Sequence, residues 1–332
     1  MTLHRRSLLA LAAGTLAPAA TLLSADARAA DPYPNHAIRW IVSYPAGGGS
    51  DFLARQLAPQ MGKQMGQSIV IDNRPGAAGI LGTDLAARAP GDGYTILTGD
   101  NGAMVFHTAL YKSLPYNPTE FVPLGFMASF PLILVVNPNA GFTSARQFLD
   151  EVKRNPAKYS YASPGPGSPH HLAMELLKER TGSFIVHVPY RGTAPAMNDV
   201  ISGHVPIMIV DTAAGLAQIR GGKVKALAVL SKHRIALLPD VPTLAEAGGA
   251  PLKDFEAIAW QGLFAPKGTP PDIAARLTAE MRKAILTPDV KARLEAFGLE
   301  VAPTDGPALA AFIQKETVFW HALIKERHLS LD

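Results

Sequence analysis

The chain has 332 residues, 48% hydrophobic and 17% charged, which is enough apolar material for a large core and enough length for two domains. The formal net charge is +4 and the lysines and arginines are scattered, so we expect no nucleic-acid partner. The absence of cysteine excludes disulfides and a lipid-attachment cysteine.

The first 29 residues predict a cleaved export signal. They combine Arg5 and Arg6, an apolar run interrupted by Gly14 and Pro18, and a small-x-small site at 27–29. Paired arginines occur in both twin-arginine and ordinary secretory signals, so the export route stays open. No later segment approaches eighteen uninterrupted apolar residues. The mature chain is therefore expected to be a free soluble protein outside the cytoplasm, with a net charge of +2 after the leader is removed.

The first part of the mature sequence alternates strand and helix patterns. An apolar strand, "AIRWIVSY", enters a glycine turn and then a helix, "SDFLARQLAPQMGKQMG". Strand patterns at "SIVIDNRPG" and "YTILTGD" enclose a short helix at "GILGTDLAARA", and "MVFHTALY" predicts a helical turn.

A second unit follows with the same alternation. A strand at "LILVVNP" precedes a helix at "TSARQFLDEVKRNP", for which Thr143 is a candidate N-cap. Another strand, glycine turn and helix occupy "KYSYASPGPGSPHHLAMELLKERTG", and strands follow at "FIVHVPY", "VPIMIVD" and "VKALAVL". A strand and long helix at "GLFAPKGTPPDIAARLTAEMRKAIL" and a last helix at "GPALAAFIQKETVFWHALIKE" complete an α/β pattern with parallel strand pairs.

Three consecutive glycines, Gly47, Gly48 and Gly49, lie between the first strand and the first helix. Backbone N–H groups at such a turn, together with the helix dipole, form an anion site that side chains would obstruct. A tight turn that needs positive φ explains one glycine more readily than three. The turn matches neither the dinucleotide fingerprint nor the P-loop, so a small anion such as a carboxylate is favoured.

A second glycine turn contains Ser163, Gly165, Gly167 and Ser168 and also leads into a helix. Two such turns, one in each half, predict two sides of a cleft that hold opposite ends of one ligand. Ser168 is compatible with ligand contact and with simple N-capping, and these alternatives are not exclusive.

Other polar residues at strand ends have two possible roles. Asp211 follows "VPIMIV" at a carboxyl strand end, where it could contact a ligand or cap the next helix. Asp51 lies in the first helical turn after the glycines, and a structural role is favoured there. Tyr190 and Arg191 end another strand, and Arg191 is compatible with a second carboxylate contact or with simple solvation.

Catalysis and metal binding are disfavoured by local spacing. Ser168 has His170, His171 and Asp211 as conceivable partners, but "GSPHH" is not the G-x-S-x-G of a nucleophile elbow. His171 is expected to bond at the turn, and His187 is expected to be packed. No spacing resembles a metal site or a nucleotide fingerprint, so we expect neither metal nor organic cofactor.

Several stretches taken together resemble the Bug family, the periplasmic solute receptors of tripartite tricarboxylate transport systems. They include "YPAGGGSDFLARQLAPQMG", "SPGPGSPHHLAMELL", "VPYRGTAPAMNDVISGHV", "LPDVPTLAEAG" and "GLFAPKGTP", and they occur in the expected order over essentially the whole mature chain. The resemblance implies a type II-like, two-lobed binding protein whose lobes are mainly parallel sheets flanked by helices.

The resemblance also implies boundaries, a site and partners. Lobe 1 is expected at 31–130 plus 253–332 and lobe 2 at 131–252, with hinges near 128–133 and 250–255. The expected ligand is a dicarboxylate, tricarboxylate, acidic amino acid or aromatic acid, and the expected partners are transporter membrane subunits, with the protein itself monomeric. The residues expected to bind the ligand are Tyr44, Ala46, Gly47, Gly48, Gly49, Ser50, Asp51, Asn101, Ser163, Gly165, Gly167, Ser168, His171, Tyr190 and Asp211.

One position departs from the family pattern. His170 occupies a position that is commonly small and polar in the family, and its bulk and possible charge favour a more acidic or a smaller ligand. Two alternative functions stay open on sequence alone: a receptor that presents its ligand to a membrane sensor, and an exported hydrolase that uses Ser168.

Overall fold

The computed structural model of the protein describes residues 33–331, so the predicted leader at 1–29 lies outside the described residues. The strands are β1 (Ile38–Val42), β2 (Ile69–Asn73), β3 (Thr95–Asp100), β4 (Val122–Val136), β5 (Ser160–Ser163), β6 (Val186–Pro189), β7 (Ile207–Asp211), β8 (Lys225–Val229), β9 (Ile258–Ala265) and β10 (Glu300–Val301). The α-helices are α1 (Gly49–Met65), α2 (Ile80–Ala87), α3 (His107–Leu110), α4 (Ala145–Arg154), α5 (Pro169–Thr181), α6 (Thr193–Ser202), α7 (Thr212–Arg220), α8 (Leu244–Gly248), α9 (Pro271–Ile285), α10 (Pro288–Ala296) and α11 (Gly306–Glu326).

The ten strands form one mixed sheet in the order β2-β1-β3-β9-β4-β7-β5-β6, with β8 and β10 also paired to β4. Parallel pairs join β1 to β2 and β3, and join β5 to β6 and β7. The central strands β4 and β9 run antiparallel to their neighbours. The predicted α/β fold with parallel strand pairs is therefore confirmed, and the antiparallel centre joins its two parallel parts.

The long strand β4 connects the two parallel parts of the sheet. Its first part pairs with β9 and its second part pairs with β7 and β8. The predicted lobe boundary at 130–131 lies inside this continuous strand. The division into lobes at 31–130 plus 253–332 and at 131–252 stays a prediction.

Helix α1 covers one face of the first parallel part. Leu53 and Leu57 of this helix are fully buried and pack in one cluster with Trp40 of β1 and Leu263 of β9. On the opposite face, Ile41 and Leu97 belong to a second cluster, which also contains buried side chains of α5, α11 and β4. Because α1 begins at the carboxyl end of β1, its first turn lies at the edge of the sheet where β1 and β3 end.

The local predictions need two corrections. Ser144, not Thr143, caps α4, since its Oγ accepts from the N–H of Gln147 at 3.2 Å, whereas the Thr143 N–H donates to the Gln147 side chain. The strand predicted at "LILVVNP" begins already at Val122. None of the helices within residues 33–331 combines the length and apolar character needed to cross a membrane.

Candidate ligand-binding site

The structure requires two of the three glycines between β1 and α1, each for a different reason. Gly47 has φ +84°, a left-handed conformation that favours glycine. A Cβ on Gly49 would lie 2.8 Å from Cε1 of Phe130, so the aromatic ring excludes a side chain there. Gly48 has φ −80°, and a Cβ there would meet only the Pro45 carbonyl oxygen at 3.5 Å, an ordinary contact. The backbone conformation requires glycine at 47 and the Phe130 ring requires it at 49, whereas glycine at 48 leaves the start of the helix uncovered.

The first turn of α1 has open hydrogen-bond donors. Gly48 is the N-cap and supplies no capping side chain, and the first helical bond runs from Phe52 N–H to Gly48 O at 2.9 Å. The N–H groups of Gly49, Ser50 and Asp51 donate to no acceptor within the described chain. Three open N–H groups at the positive end of a helix, here one of 17 residues, are the kind of donors that suit a small anion.

Asp51 holds this turn in place. Its Oδ2 accepts from Gly47 N–H at 2.8 Å, its Oδ1 accepts from Asn73 Nδ2 at 2.9 Å, and Arg55 Nε lies 2.9 Å from both oxygens. Burial raises the pKa of Asp51, but these hydrogen bonds outweigh burial and hold the pKa below its usual value. The carboxylate is 3% exposed and fully occupied, so its role is to position the turn.

Tyr44, which is half-buried, and Asp100, which is buried, lie side by side near the turn. The Tyr44 hydroxyl donates to Ala78 O at 3.5 Å and lies beside the Asp100 carboxyl, which accepts from Ala103 N–H at 2.9 Å. Burial raises the pKa of Asp100 and, together with the neighbouring carboxyl, raises the pKa of Tyr44 well above its ordinary value. A polar pair therefore lies at the carboxyl ends of β1 and β3.

Asn101 is used within the protein. Its Nδ2 donates to Ile258 O at 3.1 Å and its Oδ1 accepts from Trp260 N–H at 2.8 Å, and the residue is fully buried. The side chain therefore joins the end of β3 to the start of β9, and its amide contacts in this structure are with backbone.

Serine hydroxyls at the second glycine turn are occupied by local bonds. Ser168 Oγ caps α5 by accepting from His171 N–H at 3.2 Å and donates to Gly165 O at 2.8 Å. Ser163 Oγ lies 2.7 Å from His187 Nε2 and exchanges bonds with Gly165. Within the described residues Ser168 has no histidine ring as a hydrogen-bond partner, so the nucleophile and base geometry of a hydrolase is not assembled around it.

A stack of three aromatic rings, those of His171, His187 and Tyr161, packs against the second turn. His171 Nδ1 accepts from Gly167 N–H at 3.1 Å, and its ring stacks on His187 at a centroid distance of 4.2 Å. His187 stacks in turn on Tyr161 at 4.8 Å. Burial lowers the pKa of His171 to about 3 and that of His187 to about 4, so both rings are neutral at neutral pH. Gly167 also packs closely: a Cβ there would lie 2.9 Å from Leu110 Cδ1.

His170 pairs with Asp211 at the carboxyl end of β7. His170 Nε2 lies 3.2 Å from Asp211 Oδ2, and Asp211 Oδ1 caps α7 by accepting from Ala214 N–H at 2.9 Å. Burial raises the pKa of Asp211, but the bonds from His170 outweigh burial and lower it. The Nδ1 atom of His170 is buried and has no hydrogen-bond partner within the described chain. His170 Nδ1 is thus a buried polar atom beside the second turn whose hydrogen-bond partner is not within the described chain.

The hydroxyl of Tyr190 is already used in a hydrogen bond within the protein. Its hydroxyl donates to Asp199 Oδ2 at 2.6 Å, and its N–H donates to Ser163 O at 3.0 Å. Arg191, the next residue, is exposed, and so is Ala46 in the first turn. Tyr190 thus ties β6 to the second turn through its backbone.

The structure brings the predicted residues together in two groups. The first group surrounds the start of α1, and the second surrounds the start of α5 and the end of β7. Two polar residues of this region, Asp100 and Gln261, were not predicted as site residues. Asp100 adjoins Asn101 in "TGDN", and Gln261 is the one polar side chain in "AWQGLFAP", which are the signals that sequence offered. Within residues 33–331, no group of three or more histidine, aspartate and glutamate side chains is arranged to hold a metal ion.

Comparison with solved structures defines the class. The chain superimposes on the periplasmic binding protein BugD with a TM-score of 0.79 at 35% identity, covering 90% of this chain and 99% of that one. A protein of R. palustris solved with adipate gives 0.82 at 30% identity, covering 90% and 100%. MatC from Rhodopseudomonas palustris, solved with bound malate, gives 0.77 at 32% identity, covering 88% and 100%. The fold is that of periplasmic solute-binding proteins.

The sequence places the chain in a family of that class. Residues 53–329 match the tripartite tricarboxylate transporter family receptor, and the chain belongs to this family of periplasmic solute-binding proteins. A UPF0065 protein from the tcbD-tcbE intergenic region of Pseudomonas sp. strain P51 is 41% identical over 318 residues, covering 96% of this chain and 94% of that protein. Protein BugT of Bordetella pertussis is 37% identical over 305 residues, covering 90% and 91%. The predicted membership in the Bug family is confirmed.

Proposed function

We propose that the protein captures a small carboxylic acid in the periplasm and delivers it to the membrane subunits of a tripartite tricarboxylate-type transporter. The observation that carries this proposal is the start of α1. Its N–H groups at Gly49, Ser50 and Asp51 have no acceptor within the described chain, and glycine at 48 leaves them uncovered. A carboxylate would satisfy these donors and meet the positive end of the helix dipole.

The solved relatives support an acid as the ligand. One is described with adipate and another with bound malate, both dicarboxylates of small size. The proposal for this chain is a ligand with at least two polar ends. One carboxylate binds at the start of α1, and the other end reaches the second glycine turn.

The second turn offers different donors from those that sequence suggested. The hydroxyls of Ser163 and Ser168 are engaged locally. The backbone N–H of His170 has no acceptor within the described chain, and the ring nitrogen Nδ1 of the same residue is buried without a partner. We therefore assign the far end of the ligand to His170, with Asp211 fixing the ring from the opposite side.

The two-lobed arrangement is part of the proposal. The pairing of β1, β2, β3 and β9 on one side of β4, and of β5, β6 and β7 on the other, supports lobes at 31–130 plus 253–332 and at 131–252. Closure about a hinge would bring the two glycine turns onto one ligand. The same proposal includes export through the leader at 1–29, a monomeric state and binding without metal or organic cofactor. It also includes ligand contact by the remaining residues of the predicted set.

Thermal melting of the protein with a panel of acids tests the proposal. Malate, succinate, adipate and glutarate are suitable probes, with glucose as the uncharged control. Ligand at about 100 times its dissociation constant adds about 2.7 kcal/mol of stability, which shifts Tm by several degrees. Gly48→Glu should abolish the shift, because it places bulk and negative charge over the open N–H groups.

Gly48→Ala is the matched control, since a Cβ at this position meets no close contact. This variant should keep most of the response to the same acid. If Gly48→Glu folds normally and responds to an acid with undiminished affinity, the start of α1 is not the carboxylate site and the proposal is wrong.

A further inference from the structure

The side chain of Gln261 in β9 carries an unpartnered carbonyl oxygen. The residue is 6% exposed, and its Oε1 is buried without a hydrogen-bond partner within the described residues. A buried carbonyl oxygen without a donor costs free energy, and an apolar side chain of the same shape would avoid that cost. Since residues 33–331 supply no such donor, a bound ligand is the expected source of one.

The strand register places Gln261 beneath the open start of α1. Gln261 pairs with Asp100 of β3 on one side and with Ala128 of β4 on the other. Two residues earlier, Ala259 pairs with Phe130, whose ring would lie 2.8 Å from a Cβ on Gly49. Because alternate residues of a strand share a face, Gln261 lies on the face that α1 covers.

A row of polar side chains crosses the sheet at this level. Tyr44 follows β1, Asp100 ends β3 and Gln261 belongs to β9, and the Tyr44 side chain lies beside that of Asp100. Antiparallel partners place their side chains on the same face, so Asp100 and Gln261 both face the first turn of α1. This row offers hydrogen-bond acceptors, whereas the helix start above it offers donors.

Hydrogen-bond donors at the start of α1 lie next to the acceptors of this row, and the combination favours a ligand that has an acceptor and a donor close together. A carboxylate on the N–H groups of Gly49, Ser50 and Asp51 would hold the adjacent carbon over this row. A hydroxyl on that carbon supplies the hydrogen that Gln261 Oε1 lacks. An ammonium group would instead favour a charged acceptor, whereas the amide of Gln261 is neutral.

We infer that Gln261 is a specificity residue that binds a hydroxyl on the carbon next to the bound carboxylate, so that the protein selects 2-hydroxy acids over unsubstituted acids. This inference rests on the proposed carboxylate site and deepens it. It adds a preference among acids that a carboxylate site alone does not have.

Isothermal titration with paired acids tests the inference. The pairs are L-malate with succinate, and 2-hydroxyadipate with adipate, which differ only in the hydroxyl. In at least one pair the wild type should bind the hydroxy acid about tenfold more tightly, as expected for one hydrogen bond to a buried acceptor. L-Aspartate should gain no such advantage over succinate.

Gln261→Met is the decisive variant because it keeps the length of the side chain and removes the amide. It should bring the affinities within each pair to within about threefold, while binding of the unsubstituted acid stays near the wild-type value. Gln261→Glu should weaken both acids by charge repulsion yet keep the hydroxyl preference, because an acceptor oxygen is retained. The unliganded Gln261→Met protein should melt no lower than the wild type, which separates recognition from a structural role.

The outcomes separate the two proposals. If unsubstituted acids bind and the wild type shows no hydroxyl preference, or if Gln261→Met keeps that preference, the assignment of Gln261 is wrong and the carboxylate site stands. A preference for aspartate over malate would overturn the choice of a hydroxyl. If none of the acids binds, the proposed function fails and the inference falls with it.

Discussion

Arg327, directly after α11, donates two hydrogen bonds to Oε2 of Glu175 on α5, from Nε at 3.3 Å and from Nη2 at 3.1 Å. Glu175 is 3% exposed, and its Oε1 accepts from Lys178 Nζ at 2.6 Å and from the Tyr161 hydroxyl at 3.0 Å. Burial raises the pKa of Glu175, but the bond and charge of Lys178 outweigh burial and lower it. The segment directly after α11 is thus hydrogen-bonded to α5, the helix that begins at the second glycine turn.

Arg327→Ala should lower the free energy of unfolding by about 1–2 kcal/mol, since it leaves one oxygen of a buried carboxylate without its charged partner. Urea denaturation at pH 7.5 measures the effect. Arg154→Ala is the matched control, because Arg154 pairs with Glu151 while 71% of its side chain is exposed. That control should change stability by less than about 0.5 kcal/mol. Equal effects of the two substitutions would show that the Arg327 contact does not stabilise the fold.

Acidification should destabilise the protein through the stacked histidines. The pKa of His171 is lowered to about 3 and that of His187 to about 4, chiefly by burial. Histidines of the unfolded chain bind protons near pH 6.5. Protons therefore bind the unfolded state first, so stability is complete above about pH 6.5 and falls as the pH drops toward 4.

The expected loss from His171 alone is about 1–2 kcal/mol between pH 7 and pH 5. Urea denaturation at several pH values measures it. His187→Phe keeps a ring in the stack and removes one titrating group, so its stability should depend less steeply on pH. A variant with an unchanged slope, or a wild type that is equally stable at pH 7 and pH 5, would contradict this account.

Local patterns predicted much of the fold. The alternation of β-branched strands with amphipathic segments gave the first strand, the glycine turn and α1, because these elements depend on neighbouring residues. The first part of β4 was missed. Pro123 and Gly125 interrupt its pattern, and the pairing with β9 shifts register between them. A strand held by its partners despite such residues is invisible to local propensity.

The candidate site was predictable only in part. Each glycine turn is a continuous stretch of sequence, so the residues of each turn could be named before the structure. The row of Tyr44, Asp100 and Gln261 depends on the order β1-β3-β9 and on register between distant segments. The occupied hydroxyl of Ser168 and the carboxylate of Asp51 likewise depend on which atoms meet in space. Residue type at a strand end therefore indicated the region but not which groups were left open.

Asp51→Asn should destabilise the first turn and weaken acid binding together. An amide oxygen cannot replace both carboxylate oxygens, so bonds from Gly47, Asn73 and Arg55 cannot all be kept. The expected cost is about 1–3 kcal/mol. Asp84→Asn is the control, because Asp84 pairs with an Arg88 side chain that is 70% exposed, and it should cost less than about 0.5 kcal/mol. Normal stability of Asp51→Asn would show that the carboxylate does not position the turn.

Single alanine substitutions of the three glycines should separate backbone requirements from ligand access. Gly47→Ala places an L residue at φ +84° and should cost about 1–2 kcal/mol. Gly49→Ala should cost about 1–3 kcal/mol, because its Cβ would lie 2.8 Å from Cε1 of Phe130 and the ring must move. Gly48→Ala should be nearly neutral. Loss of glycine at an N-cap is slightly unfavourable, whereas the reduced freedom of the unfolded chain at φ −80° is slightly favourable.

Urea denaturation and titration with an acid that the wild type binds measure both properties in the same three proteins. Gly48→Ala should keep wild-type stability and lose only a few-fold in affinity, since a methyl group near the helix start leaves its N–H groups in place. Gly49→Ala should lose stability and affinity together, because movement of Phe130 displaces the first turn of α1. If Gly48→Ala is as unstable as Gly49→Ala, glycine at 48 is a structural requirement like the other two, and its uncovered position is no longer an argument for a ligand.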